Sequence, residues 1–179
     1  MSIYFVRHGQ TDWNVIGKLQ GNSDIELNQT GRTQAMVTRE QLKEVQMDMI
    51  YCSPLKRAKE TAEIINELWK LPIHFDERLK ERNFGLMEGC LRKEVPFDDI
   101  WSQKENISFQ EGESAIEFYE RVEEFLSEIV PLAKDKEILI VAHGGVSIPF
   151  QCYFEGYDHI SNLTKLIISN CEVKVYEIA

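Results

Sequence analysis

Three short apolar segments, each followed directly by polar residues, constrain the fold of this chain more than any other feature. They cover residues 2–6, 49–52 and 137–142. Apolar runs of this length, without alternation, are typical of strands that are buried on both faces of a parallel sheet. Ligands bind such sheets beyond the carboxyl ends of the strands, so the polar residues that follow the three segments are the first candidates for function.

Two histidines and two arginines occupy these positions. The first segment runs into Arg7 and His8, and the last runs into His143. The middle segment precedes a turn and a predicted helix, with Arg57 on the first turn of that helix. Because the carboxyl ends of parallel strands share one edge of the sheet, we expect these four side chains to line one pocket. An imidazole there can act as a nucleophile, and a guanidinium can hold an anion with two hydrogen bonds.

The rest of the chain alternates predicted helices with predicted strands. Predicted helices cover residues 30–42, 55–68, 97–101 and 114–130, one more begins at Val146, and further strands cover 73–75 and 171–178. Inward-facing residues are expected to be Ala35, Met36 and Leu42 in the first helix, Ala58, Ala62, Ile65 and Leu68 in the second, and Ile116, Tyr119, Val122, Phe125, Leu126 and Ile129 in the long helix that stops at Pro131. This alternation predicts a mainly parallel sheet that is covered by helices on both faces.

Further motifs accompany the strand ends in a fixed order. They lie at residues 7–11 with Asn14, 27–31 with 34–35, 53–58 with 61–62, 79–81 with 84–85 and 88–89, 112–114 and 142–145. Together they resemble the histidine phosphatase superfamily, in its phosphoglycerate mutase-like branch, over nearly the whole chain. The resemblance implies one such domain over residues 1–179. Its fold would be α/β, a three-layer α/β/α sandwich with a mainly parallel sheet and one antiparallel edge strand.

The resemblance also implies a phosphomonoesterase of the histidine acid phosphatase type. His8 is the candidate nucleophile that forms a phosphohistidine, and a backbone carbonyl in the turn after it would hold its other ring nitrogen as a donor. Arg7 and Arg57 are expected to bind the non-bridging oxygens of the phosphoryl group. When protonated, His143 would add a third positive donor, helped by the backbone amide of Gly144.

Three more residues are expected at the pocket. Glu81 matches the position of the proton donor in the resembled family, although its charged neighbours alone would place it at the surface. Arg82 is expected to contact a substrate carboxylate or a second phosphate, and pairing with a neighbouring glutamate is the alternative. Asn14 is expected to donate its amide to the phosphoryl group or to the attacking water, and a turn or helix-cap role is the alternative.

The remaining candidates are expected to have structural or surface roles. They are Glu77, Glu88, Glu113, Ser114, His74, His159, Arg92 and Lys93. Cofactor-dependent phosphoglycerate mutase is the alternative function, but mutases of the resembled branch are longer and carry basic insertions before the long helix. A non-catalytic binding domain is a weaker alternative, because the nucleophile, the arginines and the acid are all present.

Composition narrows the class of partner. The formal net charge of −10 argues against nucleic acid or an anionic membrane. No segment has the length of a membrane span or the pattern of an export signal, and four cysteines without C-x-x-C spacing favour a cytoplasmic enzyme with reduced thiols. No group of residues has metal-ligand spacing, so we expect no metal or other cofactor. The expected partner is a small phosphorylated metabolite, selected by residues 16–24, 86–110 and 150–162, and no pattern indicates an oligomeric state.

Overall fold

Five strands form one sheet in the computed structural model, which describes residues 1–156 and 163–178. The strands are β1 (Ser2–Arg7), β2 (Met49–Cys52), β3 (Ile73–Phe75), β4 (Ile138–Ala142) and β5 (Val173–Glu177). Their order across the sheet is β3-β2-β4-β1-β5. All neighbouring pairs are parallel except β1 and β5, which pair antiparallel at one edge. The predicted sheet is therefore confirmed. The expectations for His159 and the rest of 157–162 lie outside the described residues.

Helices cover both faces of this sheet, as the alternation of elements predicts. They are α1 (Asp12–Ile16), α2 (Gln29–Leu42), α3 (Lys56–Asn66), α4 (Ala115–Leu132) and α5 (Ser147–Glu155). Successive residues of β4 point to opposite faces. Ile138 and Ile140 pack into a core with residues of α4 and α5, whereas Leu139 and Val141 pack with residues of α2 and α3. Two separate cores thus enclose one sheet, which gives the three-layer sandwich.

Short 3₁₀ helices occupy the long connections, where the sequence shows little periodicity. They cover Glu77–Leu79, Gly85–Met87, Arg92–Glu94, Asp99–Trp101 and Leu163–Leu166. The short helix expected over 97–101 corresponds to Asp99–Trp101. Within the described ranges, no helix is long and apolar enough to span a bilayer.

Two predicted core residues face solvent instead. Met36 is 47% exposed and Ile116 is 39% exposed. In each helix the adjacent, smaller alanine takes the inward position, since Ala35 and Ala115 are fully buried. The buried stripe of α2 continues through Thr38, whose hydroxyl donates to the carbonyl of Cys171 at 2.8 Å. The predicted helices are correct. In α2 Ala35 is buried as expected and only Met36 is wrong, whereas in α4 Ala115 takes the inward position expected for Ile116.

The register of the strands brings three polar strand ends together. Arg7 on β1 lies opposite Ala142 on β4, and Cys52 on β2 lies opposite Val141. Hydrogen bonds continue the ladder by one residue, because the amide of His8 donates to the carbonyl of Ala142 at 2.9 Å. The residues that follow β1, β2 and β4 therefore meet at one edge of the sheet.

Candidate active site

His8 is buried at this edge with one ring nitrogen fixed. Its Nδ1 lies 2.7 Å from the carbonyl oxygen of Gly9. A carbonyl oxygen only accepts, so Nδ1 carries the hydrogen and Nε2 keeps its lone pair. This is the arrangement that the sequence predicts for a nucleophilic imidazole. The side chain of His8 lines a pocket at this edge of the sheet.

Burial and neighbouring cations keep this imidazole neutral. Desolvation lowers the pKa of His8 well below its usual value, and the charges of Arg57 and Arg7 lower it further. Burial also lowers the pKa of each of the two arginines to about 10, so both stay charged at neutral pH. The site thus combines an uncharged imidazole with two fixed positive charges.

Among the described residues, five buried donors at or beside the pocket have no protein acceptor. Nε of Arg7, Nε of Arg57, Nδ2 of Asn14 and Nε1 of Trp101 belong to lining residues, whereas Nδ1 of His143 belongs to a ring that lies against His8 without lining the pocket itself. Unpartnered buried polar atoms are rare in folded proteins and call for an explanation. The donors of Arg7, Arg57, Asn14 and His143 belong to side chains that the sequence assigns to phosphoryl binding, and donors of this kind bind the oxygens of an oxyanion.

Each arginine is held in place by backbone carbonyls. Arg57 donates to the carbonyls of Gly21 and Ser23 at 2.7 and 2.8 Å, and Arg7 donates to that of Ile168 at 2.6 Å. A methyl group on Gly144 would lie 3.1 Å from Cζ of Arg7. The glycine therefore lets the guanidinium pass close to the backbone after β4.

His143 lies against His8 and is oriented by Ser53, a contact that the sequence did not indicate. The two rings are 5.1 Å apart, and Nε2 of His143 lies 2.7 Å from Oγ of Ser53. The amide of Leu55 donates to the same Oγ at 3.4 Å. In the tautomer in which Nε2 accepts the hydroxyl hydrogen, Nδ1 of His143 is the N–H donor.

The expected positive charge on His143 is disfavoured in the free protein. Burial lowers its pKa well below the usual value, and the charge of Arg57 adds to this effect. His143 is therefore a neutral donor before an anion binds. A phosphate dianion beside it would favour protonation, because opposite charges stabilise each other in a buried site.

Glu81 enters the same pocket as a fixed carboxylate. One oxygen accepts from the amide of Gly145 and the other from the amide of Arg82, both at 2.9 Å. Glycine is required at position 145, because a methyl group there would lie 2.6 Å from Trp101 and would collide with Glu81. The pocket thus places one carboxylate near the nucleophile and both arginines.

Asn14 has the helix-cap role that the sequence offered as the alternative. Thr11 begins α1, and Oδ1 of Asn14 accepts from the amide of Thr11 at 3.0 Å while the amide of Asn14 donates to the Thr11 hydroxyl at 3.1 Å. This reciprocal arrangement is a capping box. Only Oδ1 takes part in it, so Nδ2 stays available to the pocket.

Arg82 does not line the pocket, which corrects its expected role. Its side chain is fully buried, and its guanidinium donates to the carbonyls of Ile100, Ile107 and Glu113. Arg82 therefore links the connection before α4 to the segment that carries Glu81. Arg82 thus neither lines the pocket, where substrate would bind, nor pairs with the side chain of a neighbouring glutamate.

The other structural assignments agree with the described contacts. Glu88 accepts from the amides of Asn22 and Ser23, Ser114 begins α4 with its own capping box, and Glu113 pairs with Arg121 at 2.5 Å. His74 lies exposed on β3, at the far edge of the sheet.

Several residues that line the pocket were not named individually from the sequence, although six of the nine lie in segments 16–24 and 86–110, which were expected to select the substrate. They are Lys18, Leu19, Gln20, Phe84, Arg92, Phe97, Trp101, Gly145 and Ile167. The prediction that Arg92 lies at the surface is wrong, because it lines the pocket. The connection that carries it shows no regular apolar periodicity in the sequence. Neighbouring Lys93 is exposed, as expected. In the described ranges, no group of three or more His, Cys, Asp or Glu side chains has the arrangement of a metal site.

The chain is similar to known proteins in both sequence and structure. The profile of the histidine phosphatase superfamily (branch 1) matches residues 3–179. The chain is similar to "uncharacterized phosphatase PhoE" of Bacillus subtilis (strain 168), at 38% identity over 96% of this chain and 88% of the relative. It is 30% identical to phosphoserine phosphatase 1 of Hydrogenobacter thermophilus, over 99% of this chain and 85% of the relative. The solved structure of Bacillus stearothermophilus YhfR matches with a TM-score of 0.85 at 33% identity, over 98% of this chain and 90% of that one.

Proposed function

The chain belongs to the histidine phosphatase superfamily, and we propose that it forms one domain of that family over residues 1–179 and hydrolyses a small phosphorylated metabolite through a phosphohistidine at His8. The observation that carries the proposal is the set of four unpartnered donors, on side chains that the sequence assigns to phosphoryl binding, beside a neutral imidazole whose Nε2 is not protonated. A phosphomonoester needs a nucleophile in line with the leaving oxygen and positive groups around the phosphoryl oxygens. The pocket supplies both from the chain's own residues.

The first step transfers the phosphoryl group to His8. Nε2 forms a bond to phosphorus as the bond from phosphorus to the ester oxygen breaks, and the electron pair leaves with that oxygen. Arg7, Arg57 and Nδ1 of His143 stabilise the charge on the three non-bridging oxygens. Glu81, in its protonated form, gives its proton to the leaving oxygen, so that an alcohol departs.

The second step returns His8 to its starting state. The carboxylate left on Glu81 takes a proton from a water molecule, whose oxygen bonds to phosphorus while the bond to Nε2 breaks. Inorganic phosphate is released, and Glu81 is again protonated. The cycle consumes one water and balances without a metal, because the arginines supply the positive charge that a metal would otherwise supply.

A phosphoglycerate mutase is the second candidate, and the cations Lys18 and Arg92 in the pocket are the observation that favours it. A mutase must hold a carboxylate and a second phosphate while the intermediate turns. The two reactions differ in product, since hydrolysis releases phosphate and the mutase interconverts 3-phosphoglycerate and 2-phosphoglycerate.

The test is a panel of phosphomonoesters assayed with purified protein in excess EDTA. We expect phosphate release on several members of the panel, with little interconversion of phosphoglycerates in a parallel assay that contains 2,3-bisphosphoglycerate. His8→Ala should lower phosphate release by at least about 10³-fold, whereas His74→Ala, outside the pocket, should not. Full activity in His8→Ala, or activity only after Mg²⁺ or Zn²⁺ is restored, would remove the proposal.

A further inference from the structure

The hydroxyl of Thr61 is buried between the helix that carries Arg57 and the turn that follows His8. Thr61 lies in α3, one helical turn beyond Arg57, and its side chain is fully buried. We infer that this hydroxyl positions the imidazole of His8 for attack, so that Thr61 is a positioning residue of the reaction. The inference rests on the proposed function, because it takes His8 as the nucleophile.

The direction of both hydrogen bonds of this hydroxyl is fixed by chemistry. Oγ1 of Thr61 lies 2.7 Å from the carbonyl oxygen of Arg57 and 3.0 Å from the amide nitrogen of Gly9. A carbonyl only accepts and an amide N–H only donates, so the hydroxyl donates to Arg57 and accepts from Gly9. The first bond is common for a threonine inside a helix. The second bond joins α3 to the turn that carries the nucleophile.

Gly9 transmits this constraint to His8. Its carbonyl oxygen lies 2.7 Å from Nδ1 of His8 and fixes the tautomer in which Nε2 has a free lone pair. Gly9 has no side chain, and a methyl group there would lie 2.5 Å from the carbonyl oxygen of Gly31. Because glycine rotates freely about its backbone bonds, a hydrogen bond to its amide is needed to fix its carbonyl. Thr61 therefore holds the residue that orients the nucleophile.

Other side chains hold the same turn, but at partly exposed positions. The amide of Gln10 donates to Oε1 of Gln34, and Nδ2 of Asn170 donates to the carbonyl of His8, both at 2.9 Å. Gln34 and Asn170 are only half-buried, so water can replace their bonds. The bond from the amide of Gly9 to the threonine hydroxyl is buried. Without that hydroxyl the amide would lack this acceptor where water does not reach it, and the turn would shift to regain one.

The guanidinium of Arg57 is held independently of Thr61. It donates to the carbonyls of Gly21 and Ser23 at 2.7 and 2.8 Å, whereas Thr61 contacts only the backbone carbonyl of Arg57. Loss of the hydroxyl should thus displace the nucleophile more than the donors that bind the phosphoryl oxygens. A displacement of about 1 Å can cost about 10²-fold in rate, so the loss should appear in phosphoryl transfer rather than in phosphate binding.

Two substitutions of nearly the same shape test this division. Thr61→Val removes the hydroxyl, and Thr61→Ser keeps it. The measurements are the single-turnover rate of phosphorylation by p-nitrophenyl phosphate and the Kd of inorganic phosphate from calorimetry. We expect Thr61→Val to lower the rate by about tenfold or more with the Kd within about threefold of wild type, and Thr61→Ser to restore most of the rate. Thr61→Cys, whose thiol is a weaker acceptor than a hydroxyl, gives the same comparison if Thr61→Val does not fold.

Thr38→Val is the matched control for the loss of a buried threonine hydroxyl. Thr38 is buried in α2, and its hydroxyl donates to the carbonyl of Cys171 at 2.8 Å, outside the nucleophile turn. This variant should lower the melting temperature and leave the phosphorylation rate near wild type. A rate loss in Thr61→Val no larger than that in Thr38→Val would overturn the inference. A fall in phosphate affinity as large as the fall in rate would do so too, because it would place the effect on the arginines.

The tautomer of His8 gives a readout that needs no turnover. NMR of the imidazole nitrogens distinguishes the two tautomers, and the signals of His8 are assigned by their loss in His8→Gln. We expect the Nδ1–H form alone in the wild type and in Thr61→Ser, and a mixture of both forms in Thr61→Val. That result supports the inference even if the wild-type protein releases no phosphate. The wild-type pattern in Thr61→Val overturns it, even if the wild-type protein is an active phosphatase, because the threonine would then only stabilise the fold.

Discussion

At the scale of single residues, Glu81 is the group whose chemistry can be separated from binding. Both of its oxygens accept backbone amides, so the carboxyl is oriented before substrate arrives. Its contribution as a proton donor depends on the leaving group, since a poor leaving group needs the proton and a good one does not. The contribution of the arginines should be similar for both types of ester, because they contact the phosphoryl oxygens.

Glu81→Gln should therefore lower the rate of phosphorylation on an alkyl phosphate by roughly 10²–10⁴-fold. On p-nitrophenyl phosphate the same variant should lose much less. The comparison uses single-turnover rates, because in the proposed mechanism Glu81 also activates water in the second step. Glu77→Gln, which changes an exposed glutamate, is the control. Equal losses on both substrates would show that Glu81 is not the proton donor, and Glu88 would be the next carboxylate to test.

The residues at the pocket were predictable where a strand positions them. His8 and His143 follow buried strands directly, so the prediction of these strands also predicts that the two side chains lie close together. Arg82 and Arg92 lie within or beside a connection of short 3₁₀ turns, where no periodicity reveals which side chain turns inward. Sequence reasoning therefore exchanged their roles, and assigned the buried structural arginine to substrate and the pocket arginine to the surface.

At the scale of elements, the residue that caps α1 also lines the pocket, because Oδ1 of Asn14 completes the capping box while Nδ2 has no partner. The sequence indicated a turn here, because five residues are too few to show helical periodicity. The longer elements were predicted well, since their apolar runs and stripes are decided by burial. In α2 the sequence assigned Met36 to the core together with Ala35, and only Ala35 is buried; in α4 it did not show that Ala115, rather than the larger adjacent Ile116, faces inward.

Asn14→Asp separates the helix-cap role of Asn14 from its proposed role as a donor in the pocket. An aspartate keeps an oxygen for the Thr11 amide, so the melting temperature should stay close to wild type. The second oxygen replaces the Nδ2 donor with negative charge, so kcat/KM on p-nitrophenyl phosphate should fall by about tenfold or more. Asn14→Ala should lower both quantities. If Asn14→Asp keeps full activity, the side chain serves the helix alone.

At the scale of the whole molecule, a protein with a net charge of −10 concentrates buried positive charge at one sheet edge. The arrangement has a consequence for stability. The pKa values of His8 and His143 are lowered by burial and by the nearby arginines, so both are neutral when folded. In the unfolded chain each returns to the usual value near 6.5.

Stability should therefore decrease as the pH falls below about 6.5. In that range the unfolded chain binds more protons than the folded one, so the unfolding free energy loses up to about 1.4 kcal/mol per pH unit for each histidine. Urea titrations between pH 7.5 and 5.5 measure this slope. The double variant His8→Gln/His143→Gln should lose most of it, whereas His74→Gln should not. A wild-type slope in the double variant would contradict the neutral state of the two imidazoles.

The central claim, that phosphorus becomes bonded to nitrogen at His8, is tested most directly by trapping the phosphoenzyme. Rapid mixing with substrate labelled in the phosphoryl group, followed by quenching in alkali, should give labelled protein. The label should survive alkali, be lost in acid, and be absent from His8→Ala, because a phosphohistidine has an acid-labile phosphorus–nitrogen bond. A label that survives in His8→Ala, or one that is lost in alkali as an acyl phosphate would be, would contradict the account.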